Sequence, residues 1–256
     1  MTNFKKILIR SAKLAGQFQL KNFGKFNRKD IHYKKYGEYV TYVDKFCGQL
    51  IVSHLKKYFP DHCFISEESS VKAKKSDYIW YIDPLDGTTN YSIQNPLFGV
   101  SVAMAYKNEV IEGVFFLPYL NRLFYVRKGH GAYLNNKRIS VSRQSNFRHS
   151  ILTLGIPHRL PATRQALGIY KKVRPSVDNI RIFGSFCYSF CSVASGHTEA
   201  FILAGRLKPW DVKPGILLVE EAGGCVTDFK GNKNYDAEDL VVSNGRIHQW
   251  IIRKLK

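Results

Sequence analysis

One short stretch, residues 78–90, constrains the fold more than any other part of this chain. It begins with Tyr-Ile-Trp-Tyr-Ile, an aromatic and β-branched run without polar alternation, which predicts a strand buried on both faces. Asp83-Pro84-Leu85-Asp86-Gly87 follows directly. Because a buried strand ends here in Asp, with a second Asp three positions on, two carboxylates should turn toward one point just outside the sheet. The stretch therefore predicts an acidic site at the edge of a buried sheet.

Two carboxylates at one point repel each other unless a cation lies between them. Mg²⁺ fits this role, because it prefers oxygen ligands and is commonly held by a few carboxylates together with phosphate oxygens and waters. Gly87 permits close approach of the backbone, and the amides of Gly87 and Thr88 can hold a phosphate if they open a helix. The residues alone leave a second interpretation open, in which Asp83 and Asp86 are only turn and helix-capping residues.

The rest of the chain mixes helical and strand patterns without a linker. Apolar periodicity, caps and breakers predict helices over residues 3–21, 42–58, 161–173, 186–195 and 212–222. Strands are predicted over residues 63–65, 78–83, 100–106, 110–117, 123–126 and 199–203, the third and fourth as a hairpin. Such a mixture predicts one compact layered domain.

The charge is strongly positive and unevenly distributed. Lys and Arg total 39 against 20 Asp and Glu, and residues 1–60 alone hold 13 basic and 3 acidic residues. This balance is compatible with phosphates, nucleic acids or anionic membranes as partners, and it does not choose among them. Five scattered cysteines without a C-x-x-C pair make a poor disulfide framework, which predicts a cytoplasmic location. The pattern shows no export or transmembrane segment.

Several separate motifs resemble those of one known family. The pattern D-x-V-T-x-x-D appears as E-Y-V-T-Y-V-D at residues 38–44, and G-E-E-S as S-E-E-S at residues 66–69. W-x-I-D-P-[IL]-D-G-T-x-N occupies residues 80–90, and W-D…E-A-G-G occupies residues 210–224. In order and separation the motifs resemble the inositol monophosphatase family of Mg²⁺-dependent, lithium-sensitive phosphatases, over roughly residues 5–250.

The resemblance implies a fold and an activity. The fold would be α/β, a layered αβαβα sandwich of the inositol monophosphatase and fructose bisphosphatase type, formed by a single domain over residues 1–256 with lobes of roughly 1–145 and 146–256. The protein would be a homodimeric hydrolase, a phosphomonoesterase that cleaves an inositol phosphate, a sugar phosphate or a nucleotide 3′-phosphate with a metal-activated water. Which of these esters is the substrate stays open.

The resemblance also implies a site with two or three Mg²⁺ ions. Glu67, Asp83 and the backbone carbonyl of Leu85 would bind one ion, and Asp83, Asp86 and Asp211 would bind a second. The catalytic residues would be Glu67 together with Thr88 and Glu38, of which the last two orient the attacking water. Substrate contacts would come from Asp86, Gly87, Thr88, Gly184, Ser185 and Asp211. The residues themselves also allow Asp211 and Ser185 to be no more than capping or turn residues.

Four departures from the family pattern concern the water and the substrate. Glu38 replaces Asp, which places its carboxylate one methylene farther out. Ser66 replaces Gly, and Lys213-Pro214 replaces small residues after W-D. Leu203 lies where inositol-handling members carry a Glu that contacts sugar hydroxyls, so we expect poor activity on inositol 1-phosphate.

A second function fits the charge. The basic segment at residues 21–36 interleaves Phe, Tyr and His with Lys, a pattern that favours stacking on bases. The alternative is therefore an RNA- or nucleic-acid-complex-binding protein that retains the phosphatase fold. A third possibility, in which the first helix lies on an anionic membrane, is weaker because the same helix is explained by covering a core.

Overall fold

The computed structural model describes residues 4–25, 32–33, 39–68, 76–156, 160–205 and 208–256. Its helices are α1 (Phe4–Asn22), α2 (Tyr42–Lys56), α3 (Thr88–Ser92), α4 (Leu160–Val173), α5 (Phe186–Ala194), α6 (Pro209–Glu221) and α7 (His248–Leu255). Its strands are β1 (His32–Tyr33), β2 (Tyr39–Val40), β3 (Cys63–Ser66), β4 (Tyr78–Asp86), β5 (Gly99–Tyr106), β6 (Glu109–Leu117), β7 (Arg122–Arg127), β8 (Gly131–Leu134), β9 (Lys137–Arg138), β10 (Ile151–Gly155), β11 (Asn179–Arg181), β12 (Ala200–Leu203), β13 (Cys225–Asp228) and β14 (Leu240–Ser243). Each helix and strand predicted from the sequence is present.

Two large sheets organise the chain. The first has the order β3-β4-β5-β6-β7-β8-β9, in which β3 and β4 are parallel and the later strands form an antiparallel meander. The second has the order β11-β10-β12-β14-β13, with β10 parallel to both of its neighbours. Strands β1 and β2 form a small separate pair. The lobe boundary near residue 145 stays a prediction.

Three apolar clusters define five layers. Helices α1 and α2 cover one face of the seven-stranded sheet, where Leu8 and Ile51 pack with Trp80. Helices α5 and α6 lie between the two sheets, where Phe190 packs with Phe115 of β6 and Phe201 of β12. The outer face of the five-stranded sheet is covered by α4 and α7. This is the predicted αβαβα arrangement, and it buries both faces of each sheet.

Strand β4 differs from the prediction at its end. It does not stop at Asp83 but continues to Asp86, with a β-bulge between these residues: Asp83 pairs with Ser101 of β5 and Asp86 pairs with Gly99. Pro84 lies inside the bulge, where its missing N–H removes no regular ladder bond. The bulge therefore holds both carboxylates on the sheet instead of leaving the second one on a loop.

The cysteine thiols and the apolar character of the helices bear on the redox environment and on the membrane. All five cysteines are free, as expected of a chain without a disulfide framework. Along the part of the chain that the structure describes, no helix combines the length and the apolar character that crossing a membrane requires.

The contact between α5 and α6 depends on Gly215, and its substitution gives a stability test. A Cβ at this position would overlap the ring of Phe190. We expect Gly215→Ala to lower the free energy of unfolding by about 1–3 kcal/mol, because a well-packed core tolerates added volume poorly. The matched control is Gly168→Ala in α4, where a Cβ meets no neighbour within 4 Å. That change should raise the free energy of unfolding by about 0.5–1 kcal/mol; urea unfolding measures both, and equal effects would contradict the packing argument.

Candidate active site

The acidic site lies where β4, α5 and α6 meet. Asp83 and Asp86 are buried at the two ends of the β4 bulge, with 3% and 7% of their surfaces exposed. The backbone amide of Leu85 donates to Asp83 Oδ1 at 3.1 Å. Glu67 follows directly after β3, which is the parallel neighbour of β4, and Asp211 lies in the first turn of α6. Three different elements therefore supply the acids.

A cleft with a volume of about 290 Å³ collects the residues predicted from the sequence. Those that line it are Glu67, Asp83, Leu85, Asp86, Gly87, Thr88, Gly184, Ser185 and Asp211. Glu38 lies outside the described residues. The cleft shows that the predicted set is a spatial cluster; the roles of its members stay predictions.

Electrostatic repulsion is strongest at Asp83. Burial, and then the charges of Glu67, Asp86 and Asp211, raise the pKa of Asp83 well above its ordinary value, against a lowering by the Leu85 amide. Burial likewise raises the pKa of Asp86 to about 6, although hydrogen bonds from the start of α5 oppose the shift. The protein alone therefore disfavours the charged form of both carboxylates. A hard cation bound between them would stabilise that charged form.

The donor set fits Mg²⁺ by its chemistry. Four carboxylates and the Leu85 carbonyl are hard oxygen donors around one cleft. Among the described residues, no three His, Cys, Asp or Glu side chains already stand in an arrangement that could hold a metal ion. Both carboxylate oxygens of Asp86 already accept hydrogen bonds from the start of α5. Asp86 would therefore have to share or rearrange these bonds in order to bind a metal ion.

The start of α5 orients Asp86. Oδ2 of Asp86 accepts from the hydroxyl of Ser185 and, at 3.0 Å, from the amide of Cys187; Oδ1 accepts from the amide of Phe186 at 3.0 Å. Ser185 is also the N-cap of α5, since its Oγ accepts from the Tyr188 amide. Ser185 therefore caps α5, and a substrate contact by its hydroxyl would compete with both of these bonds.

Gly87 occupies a position that demands glycine. Its φ of +79° lies in the left-handed region, and a Cβ there would approach the Leu97 carbonyl oxygen to 2.8 Å. Thr88 then begins α3, so the chain reverses tightly beside Asp86. This turn points the start of α3 into the cleft.

The hydroxyl of Thr88 is hydrogen-bonded to Asp44, a carboxylate for which the sequence motifs predicted no role. The Thr88 hydroxyl lies 2.7 Å from Oδ1 of Asp44 and 3.0 Å from the Leu85 carbonyl. Oδ2 of Asp44 accepts from the hydroxyl and amide of Thr41, which forms the capping box at the start of α2. Burial raises the pKa of Asp44 to about 6, with these hydrogen bonds opposing it. Asp44 closes the same E-Y-V-T-Y-V-D motif that Glu38 opens, and the T-x-x-D spacing of a capping box is the sequence signal that could have identified it.

Two of the sequence departures lie away from the cleft. Leu203 is fully buried in the cluster between the sheets, and it does not line the cleft, whereas Phe201 on the same strand does. The predicted place of residue 203 beside the hydroxyls of the substrate is therefore wrong, because Leu203 is a core residue. Lys213 pairs with Asp236 at 3.0 Å and lies over the ring of Tyr81, outside the cleft lining.

Comparisons with known proteins agree with this architecture. A protein of Aquifex aeolicus (strain VF5) named fructose-1,6-bisphosphatase/inositol-1-monophosphatase is 36% identical over 263 aligned residues, covering 100% of this chain and 97% of the relative. Nus factor SuhB of Escherichia coli (strain K12) is 34% identical over 253 residues, with 98% and 94% covered. The crystal structure of extragenic suppressor protein SuhB from Bartonella henselae matches with a TM-score of 0.94 and 31% identity, covering 98% of each chain. The profile of the inositol monophosphatase family matches residues 1–256, and with the same motifs placed around one cleft, the chain belongs to that family.

Proposed function

We propose that this protein is a Mg²⁺-dependent phosphomonoesterase that hydrolyses a small phosphate ester by means of a metal-activated water. The observation that carries the proposal is the convergence of four carboxylates on one cleft, beside the Thr88–Asp44 pair. The experiment is a phosphate-release screen over inositol phosphates, sugar phosphates and nucleotide 3′-phosphates, with and without Mg²⁺. Release from none of them above the metal-free background would overturn the proposal.

The carboxylates would hold two or three Mg²⁺ ions. Glu67, Asp83 and the Leu85 carbonyl would bind one ion, and Asp83 would share a second with Asp86 and Asp211. When bound, such ions lower the pKa of a coordinated water, neutralise the phosphate and stabilise the leaving alkoxide. Asp83 belongs to both sets, which agrees with its being more buried than Asp86, at 3% against 7% exposed, and with the charges of Glu67, Asp86 and Asp211 acting on it.

Thr88 and Asp44 would orient the attacking water. Because the Thr88 hydroxyl can donate its single hydrogen to Asp44 in a hydrogen bond, its oxygen lone pairs are left to accept a hydrogen bond from the water whose proton is to be removed. Asp44 is fixed in turn by Thr41, so the acceptor for that proton is preorganised before substrate arrives. The prediction that Glu38 also orients this water is kept as part of the proposal.

The phosphate would be held by the amides of Gly87 and Thr88, and Gly184 and Ser185 would contact the rest of the substrate. The position of Gly87 and Thr88 in the lining of the cleft supports the first part. A cytoplasmic location, which the scattered cysteines predict, belongs to the same proposal. So do a homodimer and sensitivity to lithium, which the family resemblance implies.

A second candidate function is binding of a nucleic-acid complex through the outer faces of α1 and α2. These two helices contain a single acidic residue, Asp44, which is buried. Arg10, Lys13 and Lys45 of the same helices are exposed. Phe46 and Tyr42 are also exposed on this surface, at 42% and 46%. The relatives that are named Nus factor SuhB are the reason for considering this role. Of the basic segment at residues 21–36, only residues 21–25 and 32–33 lie in the described part of the chain.

Salt dependence tests the second candidate. We expect the triple variant Arg10→Gln, Lys13→Gln, Lys45→Gln to weaken binding to single-stranded RNA and to flatten the salt dependence of the affinity, because fewer counterions are released. Phosphatase kcat should be unchanged. The control triple, Lys171→Gln, Lys230→Gln and Lys233→Gln, removes three exposed charges elsewhere. Fluorescence anisotropy over a salt series measures both; equal losses in the two triples would assign binding to net charge rather than to this surface.

A further inference from the structure

The cleft has a second, apolar side that the carboxylate chemistry does not use. Its side chains come from the ends of β10 and β11, from the start of α5 and from β12. The apolar residues are Leu154, Ile156, Ile182, Phe186 and Phe201. The four carboxylates, in contrast, lie on β4, on α6 and directly after β3. A substrate whose phosphate lies at the acids therefore extends toward the five-stranded sheet.

Part of this apolar side is open to solvent before any ligand arrives. Ile182 is 53% exposed, and Ile156 and Phe186 are partly exposed. Gly155 makes room for the Phe186 ring, since a Cβ there would lie 3.2 Å from it. Behind this ring lies the buried Phe201, with the two centroids 5.8 Å apart. The result is a supported aromatic surface that faces the cleft.

Among the described residues of the cleft, the polar side chains of Ser189, Ser185 and Asn90 are already engaged in hydrogen bonds. Ser189 Oγ donates to the Ser185 carbonyl at 2.7 Å, and the Ser185 hydroxyl is taken up by Asp86 and the Tyr188 amide. The Asn90 amide donates to the Leu97 and Phe183 carbonyls, each at 2.7 Å. A polyol placed here would lose hydrogen bonds to water without replacing them, whereas an apolar group would gain by leaving water.

We propose that the alcohol part of the substrate carries an aromatic or otherwise apolar group that packs on Phe186, Ile182 and Ile156. This inference rests on the proposed phosphatase function and narrows its substrate class. It makes Phe186 and Ile182 specificity residues, separate from the groups that act on the phosphate.

Matched esters test the inference. With Mg²⁺ present, we expect kcat/KM for 2-phenylethyl phosphate to exceed that for ethyl phosphate and for inositol 1-phosphate by about tenfold or more, as an apolar pocket allows. Phe186→Ala and Ile182→Ser should each lower kcat/KM for 2-phenylethyl phosphate more than kcat/KM for ethyl phosphate, and so remove most of this preference. The control is Leu167→Ser on α4, which removes an apolar side chain that is 49% exposed outside the cleft. Thermal melts establish that the variants are folded.

The outcomes separate this inference from the phosphatase proposal. Hydrolysis with a preference for inositol 1-phosphate, or a phenylethyl preference that survives both variants, overturns the inference while the phosphatase function stands. If no ester is hydrolysed, the phosphatase function fails, and calorimetry with 2-phenylethylphosphonate and ethylphosphonate decides the inference alone. Tighter binding of the phenylethyl compound that is lost in Phe186→Ala supports it; equal binding overturns it.

Discussion

Replacing Asp83 by Asn should lower Mg²⁺-dependent phosphate release by about a thousandfold or more, because the proposed ligand shared by both ions loses its charge and metal ions supply several kcal/mol of transition-state stabilisation. Asp211→Asn should act in the same direction. The assay is phosphate release at saturating substrate over a Mg²⁺ series. Asp236→Asn serves as the control, since Asp236 is an exposed acid that pairs with Lys213 outside the cleft lining. Parent-like rates in Asp83→Asn would show that the metal assignment is wrong.

The stability of the same variant distinguishes lost chemistry from lost structure. Folding raises the pKa of Asp83. The contribution of this carboxyl group to the free energy of unfolding is therefore fully present below its ordinary pKa, and it is lost as the pH rises through the raised pKa. In EDTA at pH 7.5, Asp83→Asn should therefore melt at a higher temperature than the parent. The difference should shrink toward pH 4, where both side chains are neutral. A variant that melts lower than the parent at pH 7.5 would contradict the repulsion argument.

The second large effect is expected at Thr88. Removal of its hydroxyl in Thr88→Ala should lower kcat by about 10²–10³-fold, since a positioned acid–base group contributes on this order. Thr88→Ser is the matched control, because it keeps the hydroxyl that lies 2.7 Å from Asp44. Stopped assays at saturating substrate and Mg²⁺ measure kcat directly. The pair separates a hydroxyl role from a structural one: equal losses in Ala and Ser would assign Thr88 to packing at the start of α3.

Most of the fold was predictable because the buried segments carry their own patterns. The unbroken apolar run at the start of β4 and the helical periodicity of α1 each depend on local burial, which the sequence expresses directly. The continuation of β4 to Asp86 was not predictable in this way. Pro84 normally ends a central strand, and only the pairing of Asp86 with Gly99 of β5 shows that it sits in a bulge.

The site was predictable as a set of residues but not as a set of contacts. The motifs identified the acids around the cleft, since their spacing carries the information. The partnership of Thr88 with Asp44 joins residues 44 positions apart, and nothing local to either one specifies it. For Leu203, the motif position suggested a substrate contact, whereas the strand directs the side chain into the core between the sheets. Direction on a strand is decided by tertiary packing, which single-sequence patterns describe poorly.

The hydrogen bonds between Asp86 and α5 also have a consequence for biosynthesis. The donors lie 99, 100 and 101 positions later in the chain than their acceptor. At the usual pace of translation, about 5–20 s separate the appearance of Asp86 from that of its donors. During this interval the strands of the first sheet are already available for pairing, while the acidic cleft lacks one of its sides. A nascent chain on the ribosome therefore acquires its complete site only after α5 and α6 have been made, so connectivity itself delays the assembly of the cleft.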